Sequence, residues 1–383
     1  MIAEVVIKSL FILLVVVAAI APVITWIERK QSAVMQDRIG ANRADISGIT
    51  VLGLLHPLAD VIKLLSKEDV VPIGANRVMH LIAPLVAAAP AVIAYAVIPF
   101  GGVYTFGSHT ISLVAANPDW GLLYIFAIGS IATYGTVLAG WSSNNNWSLL
   151  GSLRASAQMI SYEVTMGLSV VGIFMVFQTL KLQDMCLAQD TTFRVFGFLQ
   201  HLLGVPVPQW LDWIRLPAWG LFYQPLGFIM FLTTIMAENK RAPFDLPEGE
   251  SELIAGYFTE YSGMRFGLFF MSEFIEVVVI AGLVTSLFLG GWSIPYLSTQ
   301  TIVGAIGPVF NEGFANGLCI LLHFATFMLK VVVMIWVQML LRWTLPRFRY
   351  DQVMDLCWKI ILPLSIANIF VTGFVILLVK GTP

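Results

Sequence analysis

Cysteine, histidine and charged residues are all scarce in this chain of 383 residues. The three cysteines are far apart and form no CxxC pair, so their spacing excludes a disulfide framework and a zinc or iron–sulfur site. The five histidines form no HxxxH pair, no strands are expected, and no glycine-rich phosphate loop follows one. We therefore expect the chain to bind no cofactor and no metal. Any redox chemistry then comes from a partner or from a diffusible substrate.

Charged residues make up only 11% of the chain, and the net charge of −2 gives no indication of nucleic-acid binding. Hydrophobic residues reach 58%, against roughly 45–50% in soluble proteins. Apolar runs of membrane-spanning length number eight: 5–27, 79–100, 120–141, 158–180, 218–237, 265–290, 317–341 and 357–379. The first run is long and lacks a cleavage pattern, which argues against a secretory signal. The sequence predicts an all-α, polytopic membrane helix bundle forming one domain, 1–383.

Basic residues predict the orientation of this bundle. Fifteen of the 21 Lys and Arg residues lie at loops on one side of the predicted membrane, and the opposite loops 101–119 and 291–316 contain none. The positive-inside rule then places the basic loops in the cytoplasm, or the mitochondrial matrix, and both termini outside. The outer segment 181–217 is predicted only as an interfacial cover.

The first cytoplasmic loop, 28–78, contains an amphipathic pattern. Leucine, isoleucine and valine recur between Leu52 and Leu65 against charged residues such as Asp60 and Lys63. This segment is too short and too charged to span, so we expect a helix lying at the membrane interface. Pro72–Gly74 is expected to end it. A polar lining beside an apolar cleft here is a weak indication of a lipid-soluble ligand with a polar head.

The second cytoplasmic segment, 238–264, is strongly acidic. Six carboxylates fall within 23 residues: Glu238, Asp245, Glu248, Glu250, Glu252 and Glu260. The apolar residues Phe244, Leu246, Leu253, Ile254 and Tyr257 are interleaved with them, so the segment is predicted to fold back to the membrane boundary. Desolvation and crowding would then let its carboxylates exchange protons near neutral pH. The alternative is a solvated acidic loop.

Ionisable residues also occur within the predicted spans. Glu273 and Glu276 share a helix face at i, i+3, and Glu163 opens the fourth span. Carboxylates at such depth usually face a bundle interior, a wet cavity or a cation, although Glu163 and Glu238 lie near enough to the boundary to be solvated helix-end residues. Lys330 is predicted either as a buried counter-ion or as a snorkelling side chain.

Several motifs together resemble one known family, the H-type membrane subunit of respiratory complex I, called ND-one in mitochondria. They are Trp26–Lys30, Leu58–Leu64, Gly140–Asn144, Arg154–Glu163, the acidic segment continuing through Met264, and Pro346–Gln352. The motifs occur in the family's order, and the similarity extends from about residue 20 to 375. His56, where glutamine is common, and the longer outer segments depart from the pattern.

The resemblance implies a membrane subunit of the proton-pumping NADH–quinone oxidoreductase that builds much of a quinone tunnel. FMN and the iron–sulfur clusters would belong to peripheral-arm partners, with small membrane subunits and antiporter-like subunits as further partners. Quinone-binding residues would be Glu28, Arg29, Arg38, Asp60 and Lys67. The proton relay would contain Glu163, Glu238, Asp245, Glu248, Glu250, Glu252, Glu260 and Glu273, with Tyr162 and Arg241 among them. Arg342, Arg347 and Arg349 would form a cytoplasmic basic segment.

Three alternatives stay open at this point. A stand-alone cation/proton antiporter fits the intramembrane Glu residues and Lys330, although no internal repeat supports it. The corresponding subunit of a ferredoxin-accepting photosynthetic complex, or of a membrane-bound hydrogenase, fits because other subunits select the electron donor. A purely structural anchor has no need of so many membrane-level carboxylates. The expected location is a bacterial plasma membrane, with the mitochondrial inner membrane as the alternative.

Overall fold

The fold is taken from a computed structural model that describes residues 2–46, 48–106, 109–194, 215–247, 249, 253–297, 299, 301–304 and 312–380. Helices dominate these residues, and the predicted polytopic membrane bundle is confirmed. In chain order they are α1 (Ile2–Ile12), α2 (Ala21–Met35), α3 (His56–Ser66), α4 (Arg77–Ala94), α5 (Gly121–Ser142), α6 (Asn146–Phe177), α7 (Leu182–Ala188), α8 (Gly220–Tyr223), α9 (Pro225–Glu238), α10 (Gly263–Phe288), α11 (Glu312–Thr344), α12 (Tyr350–Asp355) and α13 (Leu362–Lys380).

Six helical segments of the described part are long and apolar enough to cross a membrane. They are Arg77–Val97, Gly121–Ser142, Asn146–Phe177, Gly263–Phe288, Gly313–Thr344 and Tyr350–Leu378. The two remaining predicted spans contain shorter apolar helices, Val6–Val15 and Pro225–Glu238. In the first of these, a π-helical stretch at Leu13–Ile20 joins α1 to α2.

Helix α10 is the central element of the bundle. Of its most apolar stretch, 78% is buried inside the protein, against 22% for the C-terminal segment Tyr350–Leu378. Phe274, Val278, Val284 and Phe288 belong to the largest cluster of buried apolar residues. Because α10 is surrounded by protein, a polar side chain on it must find partners or an internal cavity.

Two glycines allow α5 to approach its neighbours closely. A Cβ at Gly135 would lie 2.5 Å from the backbone nitrogen of Ala87 on α4. A Cβ at Gly140 would lie 2.2 Å from the Oγ of Ser152 on α6. Small residues at such crossings are typical of membrane helix packing. Asn145 caps the N-terminus of α6: its Oδ1 accepts from the backbone N–H of Trp147 at 2.9 Å.

The prediction that the chain has no strands is wrong. A hairpin pairs β1 (Val103–Phe106) with β2 (His109–Ser112), and a second pairs β3 (Thr192–Arg194) with β4 (Arg215–Pro217). Both lie in the outer segments, where short runs of β-branched and aromatic residues suit a strand. Residues 195–214, the middle of the predicted cover 181–217, lie outside the described residues.

The amphipathic helix of the first loop exists as α3, but it is shorter than predicted. Leu52 has a left-handed backbone with φ 56°, so the apolar pattern preceding His56 is not helical. Lys67 is extended, which ends the helix before Pro72. The apolar side chains of Leu58, Ile62 and Leu65 are 51%, 58% and 64% exposed. This exposed apolar face suits an interfacial position.

Lys330 holds the end of the central helix. Its Nζ donates to the backbone carbonyls of Leu289 at 2.7 Å, Gly291 at 3.0 Å and Ser293 at 2.7 Å, and lies 4.7 Å from the ring of Trp219. These carbonyls follow the C-terminus of α10, where a cation is favoured by the helix dipole. Lys330 therefore joins α11 to the end of α10 through three charge-assisted hydrogen bonds, an arrangement that snorkelling does not describe.

Candidate functional site

A buried ionic cluster joins three distant parts of the chain. The carboxylate of Glu28, near the middle of α2, accepts from Arg241 Nη1 at 3.1 Å and contacts Arg342 Nη1 at its other oxygen. Glu28 is 7% exposed and Arg241 is 5% exposed. The guanidinium of Arg241 also lies 4.2 Å from the ring centroid of Phe274 on α10. A carboxylate with two cations leaves the cluster with a net positive charge beside the first loop.

The acidic segment is anchored to the bundle by hydrogen bonds to its backbone. Gln158 of α6 is fully buried, and its Nε2 donates to the carbonyls of Ala237 at 2.7 Å and Phe244 at 2.8 Å. The backbone N–H of Phe348 donates to the carbonyl of Pro243 at 3.1 Å. These bonds fix where the chain turns after α9. They place Arg241 against Glu28 and leave Glu238 at the helix end.

The interleaved apolar residues of the acidic segment are buried with one exception. Phe244, Leu246, Leu253 and Tyr257 are at most 4% exposed, as predicted for a segment folded against the membrane domain. Ile254 is 73% exposed because it lies in a turn with φ 67°. The segment is therefore not a free solvated loop over its described residues.

A small cavity lies between α4, α5, α6, α9 and α10, and three carboxylates line it: Glu163, Glu238 and Glu276. Its volume is about 80 Å³, which admits a few waters because one water needs roughly 10–15 Å³ by this measure. The Oγ of Ser130 contacts the carboxylate of Glu163. Apolar side chains of α4, α5, α6, α9 and α10 form most of the remaining wall. Glu238 lies within electrostatic reach of both Glu163 and Glu276.

The first-loop residues predicted to bind quinone separate into three environments. Arg29 Nη2 donates to Asp60 Oδ2 of α3 at 2.5 Å, and both side chains are about 40% exposed. Glu28 belongs to the buried ionic cluster, one residue from this pair. Arg38 lies in an exposed turn after α2, and Lys67 follows the end of α3. The structure thus brings Arg29 and Asp60 together and leaves Arg38 at the surface.

The other predicted relay residues occupy different positions. Glu260 Oε1 accepts from Asn145 Nδ2 at 2.6 Å, at the start of α6. Glu273 is 6% exposed on α10, one turn before Glu276. Tyr162 is fully buried and donates its hydroxyl to the carbonyl of Val353 at 2.8 Å. Asp245 is half-buried in the anchored turn. Glu248, Glu250 and Glu252 lie outside the described residues.

The predicted basic segment is not uniform. Arg342 belongs to the buried ionic cluster, and Arg347 lies beside the backbone of Gly249 in the acidic segment. Arg349 is exposed and pairs with Asp351 at 3.1 Å at the start of α12. Two of the three arginines therefore reach the acidic segment or its ionic cluster.

Outside the spanning helices, the hydroxyl of Tyr261, next to Glu260 in the sequence, lies 3.4 Å from the Oγ of Ser142. Its ring stacks on His80 with centroids 4.0 Å apart, and burial raises the pKa of its hydroxyl to about 12. The hydroxyl therefore stays protonated at neutral pH. Among the described residues, no three His, Cys, Asp or Glu side chains converge to hold a metal ion.

Comparison with known proteins agrees with the motifs. The sequence profile of the NADH dehydrogenase family matches residues 7–373. The chain belongs to this family. It is 41% identical over 380 residues to the H subunit of NADH-quinone oxidoreductase from Bdellovibrio bacteriovorus, covering 96% of this chain and 95% of the relative. The H subunit from Thermomicrobium roseum is 44% identical over 365 residues, 95% of this chain and 94% of that relative. The resemblance to the H-type membrane subunit is confirmed.

For this member of the NADH dehydrogenase family, motif reading missed two contributors to the site. Gln158 lies within the motif Arg154–Glu163, but only the fold reveals that its amide holds the turn after α9 by hydrogen bonds. Asn239 follows Glu238 and lines the carboxylate cavity. The only available signal was a polar residue adjoining a long apolar run, which also describes ordinary helix ends. Glu276, by contrast, was marked by its i, i+3 spacing from Glu273.

Proposed function

We propose that this chain is the membrane subunit of a proton-pumping NADH:quinone oxidoreductase. Together with the peripheral arm it forms the quinone-binding chamber. It also contains the first part of the acidic path that couples a charge change at quinone to proton movement. The observation that carries the proposal is the buried cluster of Glu28, Arg241 and Arg342. Glu28 is next in the sequence to Arg29, which pairs with Asp60. Arg241 follows Glu238, a residue of the carboxylate cavity, by three positions. The cluster therefore joins a residue next to the first-loop pair to a residue close in sequence to the carboxylate cavity.

The first-loop side has the chemistry that a quinone head group requires. A quinone carries two carbonyl oxygens on an apolar ring and accepts hydrogen bonds from cationic or polar donors. Arg29 and Asp60 provide a partly exposed charged pair at 2.5 Å beside the apolar face of α3. An apolar groove with few polar groups is the usual form of a small-molecule site. Arg38 and Lys67 would act at the mouth of the chamber.

The carboxylate side has the properties of an electrostatic relay. Two unit charges about 4 Å apart interact by roughly 4 kcal/mol at an effective dielectric of 20, equivalent to a change of about three pKa units. A charge created on reduced quinone would first act on the ionic cluster around Glu28 and then on Glu238. Uptake of a proton there would alter its neighbours Glu163 and Glu276. The acidic segment with Asp245, Glu248, Glu250, Glu252 and Glu260, together with Glu273, would extend the coupling.

The electron source in this proposal belongs to other subunits. The sequence contains no spacing for an iron–sulfur or zinc site. Electrons would reach quinone from a terminal iron–sulfur cluster in a peripheral-arm partner, supplied from NADH through FMN, and antiporter-like subunits would receive the relayed charge. The bacterial origin of the relatives reported above favours a bacterial plasma membrane.

Replacing Asp60 by asparagine tests the quinone site. In this proposal Asp60 orients Arg29 toward quinone, and a displaced Arg29 would lose a charge-assisted hydrogen bond to quinone of about 1.5–3 kcal/mol, so the KM for quinone is expected to rise roughly tenfold or more. Assembly should be unaffected, because partly exposed ion pairs contribute only about 0–1 kcal/mol to stability. The measurement is the steady-state rate of the intact complex against quinone concentration.

Asp355→Asn is the matched control for this experiment. Asp355 pairs with Lys359 at 2.7 Å, with both side chains at least 60% exposed and far along the chain from the first loop. Its replacement should leave the KM for quinone unchanged. An Asp60→Asn complex with a wild-type KM would contradict the assignment of Asp60 to the quinone chamber.

A further inference from the structure

We propose that Glu276 is a third proton-exchanging carboxylate of the cavity, sharing a proton with Glu238 and Glu163 through water bound by Asn239. The inference rests on the proposed relay and adds to it a residue and a ligand. Glu276 lies one turn beyond Glu273 on α10, and its side chain lines the same cavity as Glu163 of α6 and Glu238 of α9. Three helices therefore each supply one carboxylate.

Asn239 is the independent observation that points to a bound ligand. It is 1% exposed and lines the cavity, yet its Oδ1 and Nδ2 both lack a hydrogen-bond partner among the described residues. One oxygen of Glu238 is buried and unpartnered in the same way. Leaving a buried polar atom unpaired costs about 1–3 kcal/mol. A donor and an acceptor on one amide, beside an acceptor carboxylate, fit water, which both donates and accepts.

The size and charge of the cavity favour water over an organic or anionic ligand. At about 80 Å³ it is far smaller than the roughly 300–1,000 Å³ of a typical organic ligand site, so quinone does not fit. Its carboxylates repel anions. Lys240 and Arg241 are within electrostatic reach of Glu276 but do not line the cavity, and α4 and α5 contribute no titratable side chain to the described lining. Water suits this volume, and it can both donate to and accept from the unpartnered amide of Asn239.

The exchange needs no oxidant or reductant. The O–H bond of a protonated Glu238 breaks as its proton passes to a water on Asn239, and a proton of that water forms a new O–H bond on ionised Glu276. Total charge is conserved. An ionised carboxylate disfavours the ionisation of a second carboxylate close to it. Glu276 thereby widens the pH range over which the carboxylates of the relay hold a proton.

Glu276→Gln in the intact complex, reconstituted in vesicles, tests this role. The midpoint is the pH at which half of the proton pumping per quinol is lost. Removing one neighbouring negative charge is expected to lower this midpoint by about one unit. Quinone reduction in uncoupled vesicles should continue. Glu276→Asp, which restores the carboxylate, should return the midpoint toward wild type. The second readout is an infrared pH titration. A carboxyl band that does not depend on the redox state is expected in the wild type and should be lost in Glu276→Gln.

Two results separate this inference from the relay itself. An unchanged pH midpoint and an unchanged infrared carboxyl titration in Glu276→Gln would overturn the role of Glu276. If Glu238→Gln still loses coupling in that case, the relay stands without Glu276. Wild-type pumping by Glu238→Gln would instead contradict the relay. If Glu276→Gln does not assemble, Asn239→Leu replaces it in the test, because the leucine side chain cannot bind water. A wild-type pH midpoint in Asn239→Leu would also overturn the inference.

Discussion

Replacing Arg241 by leucine is expected to destabilise the membrane domain by about 3–5 kcal/mol, because it removes one partner of a buried ion pair. Glu28 would keep Arg342 but lose the more buried of its two cations. The turn after α9 would also lose the contact of Arg241 with Phe274. We expect a strong fall in the temperature at which the purified complex dissociates, and loss of quinone reduction.

Arg349→Leu is the control for this experiment. Arg349 also pairs with a carboxylate, Asp351 at 3.1 Å, but the two side chains are 74% and 65% exposed. Exposed pairs contribute about 0–1 kcal/mol, so stability and activity should stay near wild type. Equal effects of Arg241→Leu and Arg349→Leu would show that burial of the cluster does not matter.

Replacing Gln158 by leucine is expected to cost about 2–6 kcal/mol, since each of two buried carbonyls left unpaired costs about 1–3 kcal/mol. The carbonyls belong to Ala237 and Phe244, on either side of the turn that carries Arg241. The turn should therefore shift, and both Glu238 and Arg241 with it. The expected result is poor assembly, with residual complex that couples weakly. Complex yield and proton pumping per quinol measure the two effects.

A second buried glutamine supplies the comparison. Gln338 of α11 is 4% exposed, and its Nε2 reaches a single carbonyl, that of Val277, at a long 3.4 Å. Replacing it by leucine removes little hydrogen bonding and should change stability by less than about 1 kcal/mol. A Gln158→Leu complex as stable as Gln338→Leu would contradict the anchoring role of Gln158.

The helices could be predicted because apolar run length depends only on local sequence. Even so, the pattern extended α3 back through Leu52, where a left-handed backbone prevents a helix. The outer hairpins were missed because hydropathy does not distinguish a short strand from a loop. Lys330 was recognised as unusual, but its three carbonyl partners lie about 40 residues earlier in the chain.

The site could be predicted as a set of residues but not as pairs. The resemblance assigned Glu28 to quinone, Arg241 to the relay and Arg342 to a basic segment. The fold unites them in one cluster, although Arg241 and Arg342 are 213 and 314 positions from Glu28. No helical spacing encodes such contacts, because they depend on how α2, the turn after α9 and α11 pack. The roles in quinone binding and relay stay predictions.

The most direct test of the relay is proton pumping per quinol formed, measured in vesicles containing the complex with Glu163→Gln and Glu238→Gln together. Both changes remove carboxylates from the cavity while keeping side-chain size. We predict that uncoupled quinone reduction continues and that the pumped ratio falls to near zero. Asp355→Asn vesicles, prepared in parallel, should pump at the wild-type ratio. A wild-type ratio in the double variant would contradict a relay through this cavity.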